Sequence, residues 1–489
     1  VAAIAVTAGP SVSSQPANQT RCLGGTFTAL SVASTGGSGT PTYQWYSNTT
    51  NSNSGGALIS GAMSASYTPP ASLSASAGVT YYYCVISFGA TGGCSVISSN
   101  AAALTVLATP TVNAMSNQVY CKNTAAPATP ITANYSSGMS YVWSVSGTNI
   151  GLTPTSGTSS TIPGFNTVNN GSAPVTATVT ITPSYTTGSL TCSGSPTTAF
   201  TITVNPTPVM QQFNPLLYVF CENATGFVPF AANISSGMSF TWTNDNTQIG
   251  VGATGTSTSP GLSFTAVNNL SNPNQPLTSN FMVTPVYTNG GVSCPGTAVP
   301  FAITINPLPD VIPLPDYTIC ATSTGSNQFS SLNPIVGLGT TYAWSNSNLA
   351  IGMAASGNGS HFFTATNTSL VPITGTVSVT PTYTNNGVTC TGTPDQFVIT
   401  VNPMPTVNPI TNQGLCVGSS TAAVTPTGNI PGTVYNWSNN NTSTGLAASG
   451  STLIPDFIGL NTTNAPNVST VSVVPSYTYN NITCTGTAG

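Results

Sequence analysis

The chain has 489 residues, of which 39% are apolar and only 2% are charged, and its net charge is −4. This length suits several domains of roughly 100 residues, and the apolar fraction is enough to build their cores. The near absence of basic residues argues against nucleic acid or an anionic membrane as a partner. No run of 18 apolar residues is present, so we predict no direct membrane insertion.

Five repeats follow a short first segment. Residues 1–8 are predicted to be the closing strand of a preceding module, or a donor strand, because VAAIAVTAGP resembles AAALTVLATP at 101–110. Self-similarity divides the remaining chain into five parts. We number them repeat 1 to repeat 5, with the boundaries 9–107, 108–205, 206–306, 307–402 and 403–489. Repeat 5 is expected to lack its last strand, since the sequence stops five residues past Cys484.

Each repeat is predicted to be all-β. In residues 174–182, PVTATVTIT, apolar residues alternate with threonines, which is the period of a half-buried strand. The five tryptophans fall one per repeat after an aromatic-x step, and we expect them in the cores: Trp45, Trp143, Trp242, Trp344 and Trp437. About seven strands, a central Trp and a Cys pair in roughly 100 residues indicate a sandwich. Short Asn-Pro-x-Pro linkers favour an extended rod of tandem β-sandwich domains.

The cysteines keep the same period. Repeats 2 to 5 each hold two: Cys121 and Cys192, Cys221 and Cys294, Cys320 and Cys390, Cys416 and Cys484. One pair per repeat predicts one disulfide inside each repeat, and a Tyr precedes every second Cys by seven residues. A zinc site needs clustered ligands, and the sequence offers none. Disulfides place the protein in an oxidising compartment, outside the cytoplasm.

Repeat 1 has three cysteines. Cys94 lies as far before its closing strand as Cys192 does, so the spacing favours a Cys22–Cys94 disulfide and a buried free thiol at Cys84. The alternative pairing of Cys22 with Cys84 stays open, because Tyr82-x-Cys84 matches the tyrosine-corner spacing of Ig domains.

Residues for acid–base chemistry are scarce. His361 is the only histidine, so a Ser-His-Asp triad could arise only there. Asp310 and Asp316 are the only close carboxylates, and we interpret them as solvated charges in a Pro-rich linker. We therefore predict no catalytic, metal or cofactor-binding residue, no cofactor, and no enzyme activity.

Several motifs resemble a known family of architectures. The VNPxP linkers, the Y-x-W step, TPSYT or TPTYT, and TC-x-G resemble PKD-like repeats in giant surface proteins of Bacteroidota. Repeat 1, with QPANQTRCLGG, YQWY and SNAAALTV, resembles the Ig-like modules of the same proteins. The resemblance implies export by the type IX secretion system and display on the bacterial outer surface or release. It also implies roles in adhesion or gliding motility, with the outer-membrane secretion and motility machinery as partners.

The sequence thus favours a structural stalk or filament segment of a bacterial cell-surface adhesin. Its partners would be neighbouring modules of the same or an identical chain. One alternative is an extracellular filament subunit that self-assembles by donor-strand complementation. A second alternative is a surface module that binds carbohydrate.

Overall fold

The computed structural model describes residues 8–89, 96–269, 274–334 and 339–489. Two predictions therefore lie outside the described residues: the strand at 1–8, apart from Ala8, and the role of Cys94. The chain forms two compact units. The first unit contains the chain up to Val209 together with Ala232–Met238 and Pro285–Thr297, and the second contains Met210–Ala231, Ser239–Thr284 and Ala298–Gly489.

Strands make up almost all of the regular structure. The strands of repeat 1 are β1 (Ser11–Ser14), β2 (Gln19–Cys22), β3 (Leu30–Ser31), β4 (Ala33–Thr35), β5 (Pro41–Asn48), β6 (Ala57–Leu58), β7 (Ser66–Tyr67), β8 (Gly78–Phe88), β9 (Val96–Ser98) and β10 (Ala102–Leu107). Those of repeat 2 are β11 (Gln118–Cys121), β12 (Ala125–Ala126), β13 (Thr129–Pro130), β14 (Met139–Gly147), β15 (Ser156–Gly157), β16 (Thr161–Ile162), β17 (Phe165–Asn166), β18 (Val175–Thr187), β19 (Leu190–Ser193) and β20 (Thr197–Asn205).

The later repeats follow the same plan. The strands of repeat 3 are β21 (Leu217–Cys221), β22 (Thr225–Pro229), β23 (Met238–Asn244), β24 (Thr254–Ser257), β25 (Gly261–Thr265), β26 (Leu277–Asn289), β27 (Val292–Pro295) and β28 (Val299–Asn306). Those of repeat 4 are β29 (Tyr317–Cys320), β30 (Thr324–Asn327), β31 (Thr340–Asn346), β32 (Ser356–Asn358), β33 (His361–Thr364), β34 (Ile373–Asn385), β35 (Val388–Thr391) and β36 (Asp395–Asn402). Those of repeat 5 are β37 (Val434–Asn439), β38 (Ser449–Ser451), β39 (Val471–Tyr479) and β40 (Ile482–Thr485). The helical segments described are short 3-10 turns at Ala71–Ala75, Thr247–Ile249, Leu349–Ile351 and Thr442–Thr444.

Repeats 1 to 4 share one sheet topology. The main sheets have the orders β2-β10-β8-β5-β6, β11-β20-β18-β14-β15, β21-β28-β26-β23-β24 and β29-β36-β34-β31-β32. In each sheet the first strand runs parallel to the closing strand. Small two-stranded sheets such as β22–β25 and β30–β33 form the opposing layer. In repeat 5 the described strands form one sheet, β38-β37-β39-β40. These sheets confirm the prediction of tandem all-β sandwiches.

The cores lie between the two layers. In β18, the side chains of Ala177, Val179 and Ile181 are buried and alternate with threonines, as the sequence pattern predicted. Four of the five tryptophans are buried. Trp242 is only partly buried, because one side of its ring borders an open groove beside Met282.

A recurring glycine packs on the tryptophan of repeats 2 to 5. In repeat 4, Gly357 on the edge strand β32 lies opposite Trp344, and a Cβ at Gly357 would overlap the indole ring. The same holds for Gly157, Gly255 and Gly450. Each indole is therefore covered by bare backbone, so the edge strand can approach the ring closely.

Candidate functional site at the repeat junctions

The second cysteine of repeats 2 to 5 lies on a β-hairpin. The end of the long strand pairs with the short strand that follows it, and in this register the Tyr lies directly opposite the Cys. This pairing explains the Tyr-x6-Cys spacing in the sequence. We call these segments the Cys hairpins, and they comprise residues 185–192, 287–294, 383–390 and 477–484.

The first cysteine of repeats 1 to 4 ends the first strand, and a tight turn follows it. The residue two positions after the Cys has a positive φ: Gly24 78°, Asn123 61°, Asn223 64° and Thr322 72°. In repeats 2 to 4 the Cys is paired in parallel register with the last residue of the closing strand, which is Asn205, Asn306 or Asn402. The Cys and this Asn therefore lie side by side at one end of each main sheet. We call this segment the Cys turn.

Four disulfides join the Cys turn of one repeat to the Cys hairpin of the next. The bonds are Cys22–Cys192, Cys121–Cys294, Cys221–Cys390 and Cys320–Cys484. Their Cα–Cα distances of 5.4 to 5.6 Å lie within the usual range for disulfides. Each link lies inside one compact unit, because the hairpin of repeat 3 belongs to the first unit.

The predicted pairing inside each repeat is wrong. In repeat 2, Cys121 lies beside Asn205, close to the first residue of β18, Val175. Cys192 lies opposite Tyr185, near the other end of the same strand. Ten residues of extended strand separate these two ends, which is roughly 33 Å and far beyond the reach of a disulfide. The same geometry rules out the pairs predicted for repeats 3 and 4.

The pairings proposed for the first and last repeats also fail. Cys22 bonds Cys192, so it pairs with neither Cys94 nor Cys84. Cys484 bonds Cys320, and Cys416 is an exposed thiol without a disulfide. Cys84 is a buried thiol opposite Trp45 in the sheet, and burial raises its pKa to about 11.

Buried asparagines add hydrogen bonds to the junctions. Asn205 donates to the backbone oxygen of Asn289 at 3.0 Å, and the Asn289 amide donates back to Asn205 Oδ1 at 2.9 Å. Asn306 and Asn385 form the corresponding pair between repeats 3 and 4. Asn205 and Asn306 are both 0% exposed, so these amides have little access to water as an alternative partner. The Asn of each VNPxP motif thus belongs to the junction, although the sequence suggested only a linker.

The junction between repeats 4 and 5 lacks one of these bonds. Asn402 donates to the backbone oxygens of Tyr479 and Ile482, at 3.1 and 3.3 Å. Its Oδ1 has no hydrogen-bond partner, because Tyr479 stands where the hairpins of repeats 3 and 4 carry an asparagine.

Each linker is packed against the hairpin of the repeat that it enters. The glycine two residues after each hairpin cysteine lies against this linker, and a Cβ there would overlap the carbonyl oxygen of a linker proline: Gly194, Gly296, Gly392 and Gly486. For Gly392 that proline is Pro309. The glycine is needed at this position because the linker backbone lies directly on it.

The disulfide loops overlap along the chain. Each bond closes 164 to 173 residues, and each loop begins before the preceding one ends. In the chain-entropy account, a loop of this size stabilises the folded state by about 5 kcal/mol, although overlapping loops are not additive. Any single backbone break between Cys22 and Cys484 therefore leaves the two parts covalently joined.

The ionisable side chains have structural roles. His361, the only candidate for a triad, is 2% exposed among Phe329, Trp344 and Phe397, and neither ring nitrogen has a hydrogen-bond partner. Burial lowers its pKa. Among the described residues, no three His, Cys, Asp or Glu side chains come together as a metal site requires. In that same part of the chain, no helix has the length and apolar character to cross a membrane.

The two close aspartates both accept hydrogen bonds from backbone N–H groups. Asp316 is exposed to solvent, as predicted, whereas Asp310 is partly buried, which corrects the prediction for that residue. Asp310 Oδ1 accepts hydrogen bonds from the Ser331 hydroxyl and from the N–H groups of Leu332 and Asn333. Burial alone would raise the pKa of Asp310, but these donors outweigh it and lower the pKa. Asp316 accepts a 2.7 Å hydrogen bond from the N–H of Val398 in the closing strand.

The fold and the junctions define a tandem array of Ig-like and PKD-like β-sandwich repeats, a fold that is typically non-catalytic. Its four disulfides indicate an extracellular or surface protein. Residues 220–309 match the model of a PKD-like domain, and residues 12–108 match a family described as a domain of unknown function, DUF8696.

Several solved structures align with this chain at low sequence identity and low TM-score. Immunoglobulin domains 1–5 of Sidekick-1 align with 98% of this chain and 97% of their own, at 12% identity and a TM-score of 0.23. The first eight Ig domains of Down syndrome cell adhesion molecule align with 99% of this chain and 69% of their own, at 13% identity and a TM-score of 0.25. The titin fragment I67–I69 aligns with 61% of this chain and 99% of its own, at 11% identity and a TM-score of 0.30. Likenesses this low show neither the fold nor the function of this chain. Among proteins with curated function, none matches this chain in sequence.

Proposed function

We propose that this chain is a structural stalk segment of a bacterial cell-surface adhesin, which holds a binding region away from the cell and resists extension under tension. One observation carries the proposal: the disulfides join successive repeats instead of closing each repeat on itself. A disulfide inside one sandwich protects only that sandwich. Links between repeats limit how far the chain can lengthen under tension even when a module unfolds.

The mechanical consequence follows from the covalent paths through the chain. The shortest path from Cys22 to Cys484 crosses three disulfides and two stretches of backbone. These stretches are 71 residues between Cys192 and Cys121 and 26 residues between Cys294 and Cys320, 97 in all. Fully extended, 97 residues span roughly 350 Å, whereas the 462 residues of the reduced chain between Cys22 and Cys484 span roughly 1,660 Å.

Single-molecule pulling tests this proposal directly. The chain is attached through handles at its two ends, which adds the 26 residues outside Cys22 and Cys484 to both limits, and it is stretched with and without a reductant. We expect the oxidised chain to stop extending near the short limit and the reduced chain to reach the long one. Cys84→Ser is the matched control and leaves both limits unchanged. Extension of the oxidised chain to the reduced length would contradict a role in resisting tension.

We further propose, from the resemblance of the motifs, that the protein is displayed by a member of the Bacteroidota. Export would use the type IX secretion system, and the partners would be neighbouring modules of the same or an identical chain and the outer-membrane motility machinery. Antibody labelling of intact cells, compared with cells that lack type IX secretion, tests this location. Equal labelling of both strains would refute it. The filament-subunit and carbohydrate-binding alternatives stay predictions.

A further inference from the structure

We propose that Cys416 is a disulfide-forming site for the Cys hairpin of a further repeat of this kind. The inference concerns the chemistry of one position and does not depend on the adhesion role. Four equivalent cysteines in the same structure, in repeats 1 to 4, already bind such a hairpin. Cys416 has the same place in repeat 5, yet its thiol is exposed and forms no disulfide.

The backbone that follows Cys416 has the geometry of the occupied Cys turns. Gly418, two residues after the Cys, has a φ of 85°, and its N–H donates to the Gly459 oxygen at 2.9 Å. In repeat 4, the N–H of Thr322 makes the matching bond to Ala365 at 2.7 Å. The N–H of Ser419 donates back to the Cys416 oxygen at 3.0 Å, as that of the third residue after Cys320 does at 3.1 Å. The turn after Cys416 therefore has the conformation found after the bonded cysteines, whereas the described part of repeat 5 has no strand that ends at Cys416 as β29 ends at Cys320.

The four bound hairpins define the partner. They read YTTGSLTC, YTNGGVSC, YTNNGVTC and YTYNNITC, each with Tyr opposite Cys. The next pair of residues towards the turn is the Thr after the Tyr and the Thr or Ser before the Cys. Their hydroxyl groups form a hydrogen bond of 2.8 to 3.0 Å. The expected partner is thus a β-hairpin of the form Tyr-Thr, four turn residues, then Ser or Thr and Cys. It can come from the same polypeptide or from another copy.

The bond would form by thiol–disulfide exchange. The Cys416 thiolate attacks the hairpin cysteine of a mixed disulfide with a small thiol such as glutathione. A new sulfur–sulfur bond forms, the old one breaks, and the small thiol leaves as its thiolate, so the electrons balance.

Disulfide mapping of the native protein tests the proposal. Intact material from its source is treated with iodoacetamide, digested without reduction and analysed by mass spectrometry. We expect the Cys416 peptide to be linked to a peptide with the Tyr-x6-Cys pattern. The mass of the unreduced protein on a denaturing gel then shows whether that hairpin belongs to the same polypeptide or to another copy. A carbamidomethylated Cys416, a small-thiol adduct, or a link to a cysteine outside such a hairpin would overturn the proposal.

A second measurement tests access to the thiol. In the folded 489-residue chain, Cys416 should react with iodoacetamide at least about a hundredfold faster than Cys84, which is buried with a raised pKa. Cys416→Ser serves as the control and removes the fast phase. If Cys416 reacts as slowly as Cys84, no hairpin could reach it, and the proposal fails.

Discussion

Asn306 at the end of repeat 3 and Asn385 in the hairpin of repeat 4 exchange two hydrogen bonds beside the Cys221–Cys390 disulfide. The Asn306 amide donates to the Asn385 backbone oxygen at 3.2 Å, and the Asn385 amide donates to Asn306 Oδ1 at 2.9 Å. The Asn306→Ala variant leaves the Asn385 amide without this acceptor, so we expect it to lower the free energy of unfolding by about 1–3 kcal/mol.

Urea denaturation measures this loss. The Tyr479→Asn variant is the matched test at the junction of repeats 4 and 5, where we expect the free energy of unfolding to rise. That variant offers the unpaired Oδ1 of Asn402 a donor, which should add about 1 kcal/mol. If Asn306→Ala is neutral, the asparagines do not stabilise the junctions.

The contact between Gly392 and Pro309 leads to a second prediction. The Gly392→Ala variant places a methyl group against the Pro309 carbonyl, so the linker or the hairpin must shift. We expect a loss of about 1–3 kcal/mol in the free energy of unfolding, again by urea denaturation. Gly414→Ala is the control, since a Cβ there meets no atom within 4 Å. Equal stability of the two variants would show that the linker does not pack on the hairpin.

Cleavage after Lys122 distinguishes links between repeats from links within them. The Cys121→Ser variant is digested with trypsin in urea without reductant, which cuts the chain only after Arg21 and Lys122. Because Cys22 bonds Cys192, residues 22–122 should stay attached to residues 123–489 on a non-reducing gel. Adding Cys22→Ser should release them. Release from the single variant would contradict the pairing.

The buried His361 makes repeat 4 sensitive to acid. Burial lowers the pKa of His361 in the folded state, while in the unfolded chain its pKa is near 6.5. Above that pH, His361 is neutral in both the folded and the unfolded state, so its titration does not lower the free energy of unfolding. As the pH falls below it the unfolded state binds the proton first, so stability declines until the folded pKa is reached.

Native-state hydrogen exchange at pH 7 and pH 5, corrected for intrinsic rates, measures this effect. Peptides of repeat 4 should lose protection at pH 5, and those of repeat 2, which has no histidine or carboxylate, should not. The His361→Phe variant should remove the difference. A pH effect that survives in this variant would assign it to other groups.

Much of the fold follows from local patterns. The alternation in β18 identified a strand, because burial of one face imposes a period of two. The aromatic-x-Trp step identified four buried tryptophans. The disulfide pairing did not follow, since an even spacing of about 70 residues fits links within and between repeats equally well.

The deciding feature was the length of the long strands. Strand β18 continues through Pro183 to Thr187, although proline is rare inside strands. The alternating pattern at 174–182 stops before the strand does. The sequence alone therefore did not show that Cys121 and Cys192 lie at opposite ends of the sheet. The buried asparagines were missed for a similar reason, because Asn-Pro reads locally as a turn or linker.

The disulfide map of the oxidised 489-residue chain tests the central claim most directly. Digestion with pepsin at acidic pH prevents exchange between disulfides, and mass spectrometry then identifies the linked peptides. The structure predicts Cys22 with Cys192, Cys121 with Cys294, Cys221 with Cys390 and Cys320 with Cys484. Peptides that link Cys121 to Cys192 or Cys221 to Cys294 would contradict it, and the repeats would then be separate, self-contained sandwiches.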